Sequence, residues 1–351
     1  MSMSMKTGSP TNAATTQDQE ETSAPRISPE QAGIEMALDL ASKGDLEGAL
    51  QLGRVLLDEL EESEEPLARM AFYRLLVEWS SQLERPMDCK KFASRAVQWG
   101  SRTLGETSQA VLMARNSELY WMCEVGYDRL AARRFPALLE DVSRALGADS
   151  ELAWAVRVNS AMPLKASGDF EGASMLYREL IVDMARILPA DDVLLMTVRD
   201  NLAEVLELAG HYGEAKVIFD SLLEEAKRLW GGEDPRVLRI RTEIARLRFL
   251  LGDEEGAVEE WKELGELSTR LLGRHHPRSV QIFSLLLAAA LDLEDEEMVK
   301  EVAERFISDP PPEFDALDLE GFALLLGEEA VRKSVRIRGA GRSGEEDGIV
   351  S

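Results

Sequence analysis

Two cysteines and three histidines are the only thiols and imidazoles in the chain, so nucleophilic catalysis and soft-metal binding have few places to arise. Cys89 and Cys123 form no C-x-x-C spacing, which argues against a zinc site and against a disulfide framework. His275 and His276 stand in a turn before Pro277, and His211 stands where the equivalent turns carry Asp169 and Asp253. None of the three has a cysteine or carboxylate at ligand spacing. Gly339 to Gly344 spells G-x-G-x-x-G, but only seven residues follow, so the βαβ unit this phosphate-binding motif requires cannot form. No catalytic residue, metal or cofactor is expected. The remaining candidate is a carboxylate stripe: Asp200, Glu204 and Glu207 fall at i, i+4 and i+7, one face of a helix. Three carboxylates there would grip a Lys or Arg of a ligand. The competing reading, a solvated face neutralised by Arg239 and Arg246, is favoured in so acidic a protein.

The elements that must position such a stripe are helical. From residue 29 to about 308 the chain is rich in Leu, Ala, Glu and Arg at helical period and punctuated by Gly. Ser28-Pro29-Glu30-Gln31 reads as a helix start, with Ser28 as cap and Pro29 in the first turn. Residues 1–27 are polar and without hydrophobic period, and are expected to form a disordered tail. Pro310-Pro311-Pro312 interrupts the pattern. A further amphipathic stretch predicts a capping helix within 310–335, and 336–351 is expected to be a flexible tail. Asp and Glu number 65 against 40 Lys and Arg, a net charge of −25. Such a chain is repelled by phosphate backbones and anionic lipid, so neither nucleic acid nor a membrane is an expected partner. No run of 18 apolar residues and no signal-peptide core is present, which makes the cytoplasm the expected compartment.

Sliding the chain against itself gives the strongest signal. Ala131, Ala173, Ala215 and Ala257 recur every 42 residues. Gly126, Gly168, Gly210 and Gly252 precede them by five, and Phe135, Tyr177, Phe219 and Trp261 follow by four. The frame extends to Glu84/Cys89 and Glu294/Val299, and begins at Gly44/Ala49, giving seven units. The small residue allows close approach of two antiparallel helices, and the Gly ends the first of them. The aromatic, one turn beyond the Ala, fills the space between units. Ser108, Ser150, Asp192 and Asp234 form a column of helix caps. Gly105, Gly147, Pro189, Gly231 and Gly273 mark where the second helix stops. Pro163 should kink the fourth first helix.

The Ala-x3-aromatic pair with its preceding Gly resembles the tetratricopeptide repeat, and the 42-residue period with the turn Leu272 to Pro277 resembles the kinesin-light-chain variety. Arg115, Arg157, Arg199 and Arg241 depart from the family, replacing the large aromatic expected early in the first helix. The resemblance implies an all-α, right-handed superhelical solenoid over residues 28–309. Its first (A) helices would line a concave groove that holds a peptide or helix of a partner. By position it places Arg74, Glu78, Asn116, Tyr120, Met162, Lys165, Asp200, Glu204, Glu207 and Arg246 on that wall, with Asn159, Asn201 and Arg239 beside them. The partner expected is a protein or peptide, with a basic segment as one form of contact.

The family's carboxylate clamp is not supported, because Asn201 and Glu243 stand where basic residues belong after Asn159 and Asn201. The ladder Arg115, Arg157, Arg199, Arg241 either pairs with acidic neighbours between stacked A helices or meets an acidic ligand, and the structural role is favoured. Arg102, Arg144, Arg186, Arg228 and Arg270 lie near the ends of the second helices, where the helix dipole favours a cation. The expected function is an interaction scaffold or adaptor. The alternatives are a regulator acting through its termini or through self-association as a homo-oligomer, and a helical enzyme, for which no motif speaks.

Overall fold

A computed structural model describes residues 28–59, 65–311 and 314, and the chain divides into two compact units, Met1–Leu104 and Gly105–Ser351. The first unit holds α1 (Pro29–Ser42) paired with α2 (Leu46–Glu59), and α3 (Pro66–Gln82) paired with α4 (Pro86–Leu104). The second begins with α5 (Gln109–Glu124) and α6 (Asp128–Leu146). Then come α7 (Glu151–Asn159) and α8 (Met162–Ala166), which together pair with α9 (Phe170–Met184). Three more pairs follow: α10 (Val193–Leu208) with α11 (Tyr212–Trp230), α12 (Pro235–Leu250) with α13 (Glu254–Leu272), and α14 (Pro277–Asp292) with α15 (Glu296–Ser308). No strand occurs among the described residues. The expected N-terminal tail, the capping helix beyond Phe314 and the C-terminal tail with its glycine motif lie outside them.

The repeat columns become physical parts. Gly126, Gly168, Gly210 and Gly252 all have φ between 78° and 89°, the left-handed residue that ends each A helix. In the outer units Glu84 and Glu294 occupy this position at φ 55°, the only non-glycine residues with positive φ among those described. Caps start the helices. Ser28, Ser150, Asp192 and Asp234 accept from Gln31, Ala153, Leu194 and Arg236 backbone N–H, at 3.1, 3.3, 2.9 and 2.9 Å. His276 continues the column, its Nδ1 accepting from Arg278 N–H at 3.1 Å. Ser108 stands at its N-cap without a side-chain cap bond, which nothing in the structure explains. Asp45, Asp169, Asp253 and Asp295 cap the B helices in the same way.

Pro163 interrupts its helix as expected: the chain turns at Ser160-Ala161, both still in the right-handed helical region, and continues as α8. The proline lacks an N–H, and its ring would meet the Asn159 carbonyl four residues back. One element differs from the periodic expectation: α9 ends at Met184, short of Pro189, and closes through turn bonds such as Leu188 N–H to Met184 O at 2.8 Å.

The core is the small-residue and aromatic columns. Ala131, Ala173, Ala215 and Ala257 are fully buried, and Phe135, Tyr177, Phe219 and Trp261 are 2–3% exposed. From α7 to α12 one continuous apolar cluster joins Trp154, Tyr177, Leu202, Phe219 and Leu247. A second cluster runs from Leu238 through Trp261 and Phe283 to Phe306, where Phe314 stacks on Phe306 with ring centroids 5.3 Å apart. Within the second unit each helix pair thus buries its apolar surface against the next, as a repeat stack requires.

Candidate functional site

Because apolar stripes of the A helices face the core, their polar residues fall on the other side, and there they meet across helices. Lys165 of α8 donates to Glu204 of α10 at 2.9 Å. Arg239 of α12 donates to Asp200 of α10 at 2.6 Å. Arg246 of α12 grips both carboxylate oxygens of Glu207 and also bonds Glu243 at 2.6 Å. These three inter-helix pairs all span 39 residues in sequence. That interval is three residues short of the 42-residue repeat, which the long Lys and Arg side chains reach across. In the preceding pairs the same face carries Asn159 Nδ2 donating to Asn116 Oδ1 at 3.1 Å.

The sequence candidates therefore divide. Arg74 and Glu78 are exposed on α3 of the first unit. In the second unit Asn116, Tyr120, Asn159, Met162, Asp200, Asn201, Glu207, Arg239 and Arg246 are half-buried, and Glu204 is exposed. Tyr120 stacks edge-on against Trp121, with centroids 5.0 Å apart. The carboxylate stripe is real, and each member already holds a cation: Asp200 has Arg239, Glu204 has Lys165 and Glu207 has Arg246.

Burial tunes this face. Glu243 is pushed above the ordinary carboxylate range by desolvation, against the pull of Arg239 and Arg278. Burial also lowers Arg246, while Arg278 is lowered by burial and then by the like charge of Arg239. The Tyr177 hydroxyl is raised by burial and by Glu204. Arg278 was not among the sequence candidates. The arginine at the equivalent place one repeat earlier, Arg236, was the signal that would have found it.

The first arginine ladder is explained within each helix pair. Arg115 donates to Asp141 at 2.8 Å and Arg199 to Glu225 at 2.6 Å, while Arg157 lies 2.8 Å from Asp183. Arg241 donates to Glu260 at 2.7 Å and Glu263 at 3.1 Å. Each ties an A helix to its own B helix, and the stacked A helices take no part. In the second ladder Arg102 and Arg228 donate to the Gln98 and Glu224 carbonyls at 3.1 and 3.4 Å, whereas Arg144, Arg186 and Arg270 pair with the carboxylates of Glu140, Asp183 and Glu233.

No protein-family model matches the chain, and no curated protein matches it. Solved structures do. A tetratricopeptide repeat protein from Parabacteroides merdae matches with a TM-score of 0.55 at 15% identity, over 85% of this chain and 98% of that one. The nearly identical tetratricopeptide-like repeats of a putative kinesin light chain from Podosopora anserina match at 0.50 and 16% identity, over 60% of this chain and 98% of theirs. NprR in complex with its cognate peptide NprX matches at 0.52 and 15% identity, over 91% and 88%. The chain has the tetratricopeptide-repeat fold.

Within that fold the histidines have structural places. His276 caps α14, and His275 Nε2 lies 3.1 Å from the Asp309 carboxylate, beside Arg274, which donates to the Arg305 carbonyl at 3.1 Å. His211 is exposed at the start of α11. Cys89 and Cys123 are buried, and burial pushes their thiols up to about 11 and about 12. Among the described residues no group of three or more His, Cys, Asp or Glu is placed to hold a metal ion, and no helix is long and apolar enough to cross a membrane.

Proposed function

We propose that this repeat protein is an interaction scaffold, and that the A-helix face of its second unit holds a peptide or helix of a protein partner. The observation that carries this reading is the run of half-exposed polar side chains offered by successive A helices, from Asn116 and Asn159 through Asp200, Glu204 and Glu207 to Arg239 and Arg246. A face this polar, organised by inter-helix pairs, is built to exchange hydrogen bonds and ion pairs with a ligand. That NprR, of the same fold, binds a peptide supports the reading. A basic segment of the partner would exchange with Lys165 for Glu204, whose side chain is 54% exposed and the most accessible of the three carboxylates. Asp200 and Glu207 remain held by their arginines.

The test is capture of partners from the native cell by the full chain, followed by mass spectrometry. Comparison is made with Glu204→Lys and Asn201→Ala on the A face and Val217→Glu on the exposed face of α11, each checked for folding by circular dichroism. Loss of a partner by the A-face variants, and its retention by Val217→Glu, is expected, with binding weakened by added salt. Retention by folded A-face variants and loss with Val217→Glu would sink the proposal in favour of the outer surface or self-association.

A further inference from the structure

A hollow of about 270 Å³ beside the α5–α6 pair is lined by Arg115, Leu119, Arg133, Arg134, Ala137 and Leu138. Three arginine side chains thus border one small pocket in a protein whose net charge is −25. The hollow at the equivalent place beside α12 and α13 mixes Arg241 and Arg270 with Glu233, Glu263 and Glu266. One and two repeats later, Arg133 and Arg134 are replaced by Met175 and Leu176, then by Val217 and Ile218; three repeats later they become Glu259 and Glu260. The B helices diverge accordingly. Helix α6 has four arginines against three carboxylates, whereas α9, α11 and α13 each carry an excess of acid.

The second departure lies beneath. Glu118 is 9% exposed, at a position that is Leu202 and Ile244 in later units. Burying a carboxylate where a leucine fits is costly unless it is paired, and Glu118 accepts from Arg134 Nη2 at 2.5 Å. The pair fixes the Arg134 guanidinium at the hollow. Asp141 does the same for Arg115, accepting from Nη1 at 2.8 Å while its other oxygen takes Arg144 at 3.2 Å. A guanidinium has five N–H donors, so both arginines keep donors beyond those they spend. Arg133 makes no hydrogen bond or ion pair among the described residues.

We propose that this hollow is a binding site for one oxyanionic group, a carboxylate or a phosphate, held by Arg133 with the oriented Arg115 and Arg134. Its volume falls short of the usual small-molecule pocket and suits a single group of a few heavy atoms. Guanidinium forks held in place by a carboxylate partner are chemistry suited to recognising planar carboxylates and phosphates. Glu118 acts as a positioning residue and does not touch the ligand. The site is separate from the A-helix face proposed above and stands or falls without it.

The full chain is titrated at low salt with inorganic phosphate and, separately, with an end-capped oligoglutamate peptide. Calorimetry gives the affinity, and the arginine Nε–H resonances of Arg115, Arg133 and Arg134 report the place. Saturable shifts of those resonances are expected, with about a tenfold loss of affinity in Arg133→Ala. No loss is expected in Arg129→Ala, an exposed arginine of the same helix outside the hollow. Binding of phosphate alone identifies a free anion as the source of the group, and binding of the peptide alone identifies an acidic protein segment. If neither probe shifts the three resonances, the site does not exist. If Arg129→Ala weakens binding as much as Arg133→Ala, the attraction is diffuse and the proposal fails equally. Arg133→Glu, with its melting temperature checked, gives a second reading in which binding should vanish while the fold remains.

Discussion

Replacing Phe219 by alanine tests the repeat packing most directly. The ring is 3% exposed and lies in the cluster formed by α9 to α12, so almost all of its apolar surface returns to water on unfolding. The transfer contribution is about 2 kcal/mol. If the surrounding helices leave a residual void of roughly 60–80 Å³, the cavity adds about 1.5–2 kcal/mol at ~24 cal/mol per Å³. The expected loss is therefore about 4 kcal/mol, within the 3–5 kcal/mol range typical of such truncations. Urea unfolding of the full chain followed by far-ultraviolet circular dichroism measures it, with Val217→Ala on the 68% exposed face of the same helix as control. The control should change stability by no more than about 0.5 kcal/mol. Since each pair leans only on its neighbours, amides of α10 to α12 should lose exchange protection before those of α14 and α15. A loss below about 1 kcal/mol, or one matched by the control, would mean that the aromatic column does not hold the pairs together.

Arg241→Ala strands Glu260 and Glu263 and should cost about 1–2 kcal/mol in the same denaturation assay; no measurable loss would return the ladder to ligand binding. Both cysteines should resist a thiol reagent at pH 8 in the folded protein and react fully in denaturant, and rapid labelling of native Cys89 would contradict its burial. Hydrogen bonding from Arg236 depresses the Asp234 carboxyl from 3.8 to about 2. The unfolded chain then takes up this proton first, so the stabilisation is complete above the ordinary carboxylate range and disappears as pH falls toward 2. Asp234→Ser, which keeps a cap without a charge, should flatten that limb of the stability profile between pH 4 and 2. An unchanged limb would show that the carboxyl is not depressed.

Most of the fold was legible because a repeat states its packing many times over. A single alanine or glycine says little, but Ala131 through Ala257 and Gly126 through Gly252 at one fixed interval leave no other architecture that buries them alike. Pro163 removes a donor and meets a carbonyl, and its helix is interrupted there as expected. One element was misjudged, where the period continues while local geometry does not. The chain leaves α9 at Met184, before the proline that the column marked.

The candidate face was less legible, for a reason that applies to any stacked repeat. Sequence places Asp200, Glu204 and Glu207 on one stripe because i, i+4 and i+7 are fixed by the helix itself. Which cation each one meets depends on how one A helix packs along the next, and that packing is set by Leu, Ala and aromatic side chains buried elsewhere. Arg239 and Arg246 could be named as neutralising charges, yet not matched to Asp200 and Glu207 without it. The same holds for Glu118 and Arg134. Each looks like an ordinary surface charge of an acidic protein until the fold puts one in the core position of Leu202 and the other over it. Charge pattern along a helix is thus readable from sequence, whereas charge pairing between helices is a property of register.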